Sequence, residues 1–331
     1  VLIYAGIDEA GYGPLLGPLC VGCATVAIEG LDPHAPDLRA PNLWTLLKDA
    51  VCDAPGDKRS RIAIADSKRL KGAKESKSHP LRHLERGVLS VAGLAAGAGV
   101  AGSANDSELF AALGVEVPSL ADAPWYGSMT ELPVGNDRDG IAIATNRLRV
   151  AAGATGVRFL PLACEVLDGR RFNERAAKSQ KSELNFDMAL RHVDRLWRAH
   201  AGQHPRVVID RHGGRVHYRE PLQLFFPEAR ITIVAETETL SRYRLEDDRG
   251  ALTISFEVES ESRHLPNALA SMTAKFTREL FMERMNRFFR GHIAELKPTA
   301  GYVEDGRRYL KDITPTLREL GIASERLVRA R

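Results

Sequence analysis

Two adjacent acids close the first apolar run of the chain, Asp8 and Glu9 in "AGIDEAGYGPLLGP" (Ala5 to Pro18). Two further acids draw notice by position: Asp210 at the end of the apolar run "RVVID", and Glu279 inside the long stretch "PNALASMTAKFTRELFMERMNRFF". Carboxylate oxygens are hard ligands suited to Mg²⁺ or Mn²⁺, and no cluster of His or Cys competes for that role. Such a set could hold two ions about 4 Å apart, one activating water and the other stabilising the leaving oxygen of a phosphodiester. Simpler readings stay open at each position. Asp8 can cap its own hairpin, Asp210 can be a strand-end acid in a polar loop, and Glu279, four residues after Lys275, can form a helical ion pair. The metal reading requires the carboxyls at 8, 210 and 279 to converge in one pocket.

Adjacent strand residues point to opposite faces. Asp8 and Glu9 therefore share a task only if the strand ends or kinks there, which Gly11 and Gly13 would permit. The elements that must position these acids are legible in outline. "VLIYAGID" and "LCVGCATVAI" read as two antiparallel neighbouring strands joined by a Gly/Pro turn. "VRFLPLACEVLDG" (157–169) reads as a third strand, and "RVVID" as a buried one. In "SELNFDMALRHVDRLWRAH", Phe186, Leu190, Val193 and Trp197 recur at helical spacing, with Ser182 as a plausible N-cap. The last long helix starts after Pro266 and carries Leu269, Met272, Phe276 and Leu280 on one stripe. Strands first, then helices alternating with strands, imply an α/β protein with a mixed sheet covered by helices. Two stretches fit less well: 93–156, rich in Ala, Gly and turn formers, reads as an insertion, and 211–263 as a hairpin extension. There is no internal repeat.

With 331 residues, 44% hydrophobic and 27% charged, the chain is an ordinary globular protein able to bury one large core. Its 46 Lys+Arg against 43 Asp+Glu leave a formal charge of +3, too small by itself to announce a polyanion partner. No apolar stretch approaches bilayer-spanning length and the amino terminus has no signal-like segment, so a cytoplasmic location and no membrane partner are expected. Cys20 and Cys23 form a CxxC inside a strand-like run with no second Cys/His pair at zinc-site spacing, and they read as buried structural thiols. Cys52 and Cys164 stand alone, so no disulfide framework is indicated.

"GIDEAGYGPLLGP" resembles the signature GIDEAGRGPxxGP of the type 2 ribonucleases H (ribonuclease HII). Further segments are similar to that family's in the same order: "ADSKRL" to its DSK segment, "ELNFDMAL" to its Asn-led helix, "VVID" to the strand carrying its third acid, "LASMTAKFTRE" to AASxxAKxxRD, and the tail "GYVEDGRRYLKDITPTLRELG" to GYxTxxHLxxLxxLG. The resemblance touches both ends and the middle and leaves the two insertions outside it. It implies an RNase H-like mixed sheet flanked by helices, a catalytic domain over 1–290 and a C-terminal helical extension over 291–331. It also implies Mg²⁺- or Mn²⁺-dependent cleavage, with two ions, of RNA strands paired with DNA or of ribonucleotides embedded in duplex DNA, leaving 5′-phosphate and 3′-hydroxyl ends. The alternatives are a nucleic-acid-binding protein of impaired chemistry on the same fold, and an RNase H-like nuclease with another substrate.

Carried over by position, Asp8, Glu9, Asp210 and Glu279 would be the catalytic and metal-binding acids, Asp8 touching both ions. Gly11, Tyr12 and Gly13 would approach the ribose 2′-OH, the group that separates RNA from DNA. Lys68, Asn185 and Lys275 would hold phosphates, and Tyr302, with Tyr309 as fallback, would be the family's C-terminal tyrosine. Arg278 receives no assignment. The chain departs from the family pattern at Tyr12 (usually Arg), at Arg211 (commonly Gly), which would set a bulky cation beside the third acid, and at Glu279 (usually Asp). His212, two residues beyond Asp210, is a candidate proton shuttle, although a lone loop His is more simply exposed.

Overall fold

The computed structural model describes residues 1–35, 39–72, 78–97, 103–178 and 180–330. Residues 98–102 of the Ala/Gly-rich stretch lie outside these. Eight strands make the main sheet: β1 (Leu2–Ala10), β2 (Leu19–Ile28), β3 (Val157–Phe159), β4 (Ala163–Leu167), β5 (Arg206–Asp210), β6 (Arg230–Glu236), β7 (Leu240–Asp247) and β8 (Gly250–Glu257). Their order is β3-β2-β1-β5-β8-β7-β6, with β4 also paired to β2. β5 runs parallel to β1 and to β8, and the remaining pairs are antiparallel. The expected mixed sheet is thus present, with β1 and β2 as its antiparallel first pair. The run 157–169 is two strands rather than one, because Pro161 cannot donate to the β2 ladder between them.

Seven helices matter for the site: α1 (Ser67–Leu70), α2 (Arg82–Ala95), α3 (Asp106–Ala112), α4 (Arg138–Ala154), α5 (Lys181–His200), α6 (Leu265–His292) and α7 (Val303–Glu319). Strand alternation builds two cores. Ala5, Ile7, Val21, Val207 and Ile209 point to one face, where Leu190, Val193 and Trp197 of α5 cover them. Tyr4, Cys20, Ala24 and Val208 point to the other, beneath α6. A helix can lie this close to the sheet because Gly6 has no side chain: a Cβ there would fall 2.1 Å from the amide nitrogen of Asn267. That close approach sets the height of α6 over the end of β1.

The sequence predicts one apolar stripe on α6, but the helix is buried nearly all round. The stretch 93–156 supplies the reason. Phe110 of α3 stacks on Phe281 at 4.6 Å and Tyr126 packs edge-on against the same ring, while Arg284 of α6 donates to Asp106 at 2.7 Å in a buried pair. This stretch is therefore a third layer of the first core. β8, inside the other supposed insertion, is a central strand. α7 adds Tyr309, Ile313 and Leu317 to the first core. α5 is capped by Gln180, whose reciprocal pairing with Glu183 forms a capping box, and not by Ser182. Cys20 and Cys23 are free and buried, on opposite faces of β2. Among the described residues no helix is long and apolar enough to cross a membrane.

Candidate functional site

β1 does not end or kink at its two acids: it continues, paired with β2, through Ala10 opposite Cys20. Asp8 and Glu9 accordingly take opposite faces. Asp8 points toward α6, near Ser271, whose hydroxyl donates to Ser67 Oγ at 3.0 Å, and Glu9 points toward α5, near Asn185. They meet a common partner because β5 is shorter. Its pairing with β1 stops at Ile7 and Ile209, so beyond that point the two acids straddle an open gap with Asp210 at its rim. The Asn267 side-chain amide pins the gap, donating to Val208 O at 3.1 Å, Ile7 O at 3.3 Å and Ser260 Oγ at 3.1 Å. Asp210 Oδ1 accepts from both the amide and the hydroxyl of Ser260 at 3.0 Å.

The fourth acid at this gap is Glu261. It stands in the single helical turn Ser260–Ser262 before α6, within hydrogen-bonding reach of Asp8. The electrostatics show the convergence. Burial, then repulsion from Glu9, Glu261 and Asp210, pushes the Asp8 carboxyl well above its ordinary range against the Ser271 hydrogen bond. Burial and the charge of Asp210 raise Glu9, opposed by Asn185 and Lys68. Burial and the charges of Asp210 and Asp66 raise Glu261, opposed by Asp8 and Lys68. Acids from two strands and one turn thus bear on one another, with the exposed ammonium of Lys68 as the cation that tempers Glu9 and Glu261.

Glu279 does not join them. It lies two turns and more beyond Ser271, about 12 Å along α6, and accepts from Lys71 Nζ at 2.7 Å and Lys275 Nζ at 2.9 Å. Burial alone would raise its pKa, but the Lys275 and Lys71 ammoniums outweigh burial and hold it below the ordinary value. The helical ion pair is therefore the correct reading of Glu279. The same contact removes Lys275 from the phosphate-binding set, since it is buried and already paired. Glu261 escaped the sequence reading because "EVESESRH" offers three acids at alternate positions with nothing in residue type to choose between them. The available signal was its place at the mouth of α6, just after a strand running parallel to β5.

The donors are all hard oxygen, which fits Mg²⁺ or Mn²⁺. The Oδ1 of Asn185, a buried side chain, has no partner of its own, a further oxygen for a cation or its water. Among the described residues no three such groups are drawn into a ready ion site.

The glycine turn follows directly. Gly11 adopts φ +87°, where a side chain would be strained, and a Cβ there would also meet Pro18 O at 2.6 Å. Gly13 faces open space. The turn is fastened from behind by Arg278, fully buried, which donates to Pro18 O at 3.1 Å, Leu16 O at 3.1 Å and Ala300 O at 3.0 Å. The chain's tail adds Arg329 N donating to Leu15 O at 3.0 Å, and Gly301 O accepts from Leu15 N at 2.8 Å. Tyr12 is exposed, with Lys181 Nζ 4.9 Å from its ring centre, so a cation stands near the position from which arginine is missing. Tyr302, next to Gly301, is exposed, whereas Tyr309 is fully buried. Arg211 does not crowd Asp210: its guanidinium donates to Thr237 O at 3.0 Å and Ser241 Oγ at 3.1 Å, in and beside β7. His212 is not an exposed loop residue. It packs between Phe186, Tyr218 and Phe256, and burial, then Arg215, pushes its pKa down to about 4.

The chain is similar in outline to solved ribonucleases H. It is 15% identical to ribonuclease HII of Archaeoglobus fulgidus, solved in a complex with PCNA, covering 100% of this chain and 95% of that one with a TM-score of 0.40. It is 13% identical to ribonuclease H2 of Pyrococcus horikoshii OT3, covering 98% and 92%, with a TM-score of 0.43. It is 15% identical to Bst-RNase HIII solved in complex with Mn²⁺, covering 99% of this chain and 66% of that one, with a TM-score of 0.41. No protein-family model and no curated protein matches the chain.

Proposed function

We propose that the protein is a metal-dependent endoribonuclease that cuts the RNA strand of RNA/DNA hybrids, or ribonucleotides embedded in duplex DNA, leaving 5′-phosphate and 3′-hydroxyl ends. The observation that carries this reading is the convergence of Asp8, Glu9, Asp210 and Glu261 at the open gap between β1 and β5, where burial and mutual repulsion raise three of the four. Buried like charges at one place are unfavourable unless a cation offsets them. Mg²⁺ or Mn²⁺ bound to these four carboxylates would activate water and stabilise the departing oxygen. Ser260 fixes Asp210 through its amide and hydroxyl, and Asn185 and Ser271 lie beside Glu9 and Asp8. Lys68, exposed beside the acids, is placed to neutralise a phosphate. The Gly11–Gly13 backbone, held by Arg278 and open at Gly13, would approach a 2′-hydroxyl, and the exposed Tyr12 ring would stack on a sugar or base.

A labelled RNA/DNA hybrid, a duplex with one ribonucleotide and plain DNA, incubated side by side with Mg²⁺ or Mn²⁺, test this reading. Cleavage of the first or second, lost in Asp8→Asn with the fold intact, is the expected result, and full activity in Asp8→Asn contradicts it. The second reading is a nucleic-acid-binding protein of impaired chemistry, favoured by the absence of a ready ion site among the described acids. A binder shifts the hybrid at every metal concentration without cutting it.

A further inference from the structure

On the face of the sheet that α6 covers over β1 and β2, the half formed by β5, β8 and β7 is polar, and it carries an arrangement the nuclease reading leaves unused. The register places Arg206 and Arg244 on either side of Thr253, and Val208 and Arg242 on either side of Ser255. Arg206 Nη1 donates to Thr253 Oγ1 at 2.7 Å and Arg242 Nε to Ser255 Oγ at 2.8 Å, so both guanidiniums lean over the middle strand. Together with Arg39 and Arg263 they line a cavity of about 590 Å³, within the size range of small-molecule sites.

Among the described residues, Glu257 is the only carboxylate lining this cavity. It is already shared by Arg242 at 3.5 Å, Arg263 at 3.4 Å and His264 at 3.0 Å. Among the described residues Arg206 has no carboxylate partner, and its Nε is buried without an acceptor. The excess charge is felt nearby: burial, then Arg206 and Arg244, pushes His204 down to about 4. Like charges on neighbouring strands are destabilising, and among the described residues Glu257 and Glu246, the latter paired with Arg244 at 2.9 Å, offset them only in part.

We propose that this cavity is a binding site for a small ligand carrying two or more linked phosphates, such as a nucleoside diphosphate. Guanidinium forks match phosphate oxygens in pairs, and guanidiniums on three sides suit a chain of phosphates better than a single one. His34 and Arg39 also line the cavity, and Pro33 O accepts from Arg206 Nη2 at 3.1 Å. A cavity of this size, bordered by the sheet on one side and by His34 and Arg39 on another, suits a small ligand better than a nucleic-acid strand. This site adjoins the acids at the β1–β5 gap, Glu257 standing opposite Asp210 in the register of β8 and β5, but none of those acids lines it.

Calorimetric titration of the full chain with tripolyphosphate and with ADP, in the absence of divalent metal, tests the site. Saturable binding is expected, weakened at least tenfold by Arg244→Glu on the sheet and by Arg39→Glu outside it, and unchanged in Asp8→Asn. Arg39 is exposed on its loop, so its variant decides the matter if Arg244→Glu fails to fold. No binding at millimolar ligand, binding undiminished in the variants, or competition by sulfate as strong as by tripolyphosphate overturns the proposal. So does a result in which only a long oligonucleotide responds to the variants, which would make the cavity a strand contact.

Discussion

Glu261 and Glu279 flank the same stretch of α6 and have opposite surroundings. Glu261 stands before the first turn, among Asp8, Asp210 and Asp66, and is raised. Glu279 stands in the middle of the helix between two ammoniums and is lowered. Both are partly buried carboxylates near lysine, so neither residue type nor burial separates them. The balance of neighbouring charge does. A region short of positive charge calls for a cation from outside, whereas one that supplies its own is structural.

Breaking the comparison at its strongest point means removing a carboxylate from the deficient region. Asp8→Asn is expected to lower metal-dependent cleavage of a hybrid by about 10³-fold or more, some 4 kcal/mol in transition-state stabilisation, measured by gel assay at saturating Mg²⁺. The same variant should unfold at a higher temperature than the metal-free parent. A carboxyl whose folded pKa is raised contributes stability that is present below its unfolded pKa and lost as pH rises through the folded value. At neutral pH Asp8 therefore destabilises the metal-free fold, and a thermal melt should show a gain of about 2 °C or more in Asp8→Asn. Glu261→Gln follows, with cleavage down by about 10²-fold. Arg278→Ala leaves three carbonyls without their donor and should destabilise by about 3 kcal/mol in a urea titration, with cleavage reduced less than in either acid variant.

The smallest effect on cleavage belongs to Glu279→Gln, less than about threefold, although it leaves Lys275 buried without a counter-charge and destabilises by about 2 kcal/mol. Its pH dependence runs opposite to that of Asp8. A lowered carboxyl contributes stability above its unfolded pKa that is lost as pH falls through the folded one. As the pH falls below the ordinary carboxylate range the parent should thus lose more stability than Glu279→Gln does. Equal acid sensitivity in melts of the two would undo the assignment of Glu279 to an internal ion pair.

Three of the four acids were legible because strand ends announce them: Asp8 and Glu9 close an apolar run before a Gly/Pro turn, and Asp210 closes another. The mixed sheet was legible for the same reason, since apolar β-branched runs declare strands whatever their partners. Glu261 was not, because its position follows from how β8 ends and how α6 starts, both fixed by long-range packing at Gly6 and Asn267. β8 itself was hidden in a supposed extension, because nothing local says that its neighbour would be β5. Layer 93–156 was hidden because Ala and Gly read as turn formers until Phe110 and Tyr126 are seen against Phe281. Lys275 matched a family position that in this chain faces a glutamate two carbons long, and the motif match concealed the pairing that the spacing of four had already suggested.

The claim on which the rest depends is that Asp8, Glu9, Asp210 and Glu261 form a divalent-metal site. Calorimetric titration of Mn²⁺ into the parent, Glu261→Gln and Glu279→Gln, with cleavage of the same hybrid followed in parallel, addresses it directly. The account predicts binding and cleavage lost together in Glu261→Gln and kept in Glu279→Gln. Loss in Glu279→Gln with Glu261→Gln unaffected contradicts it.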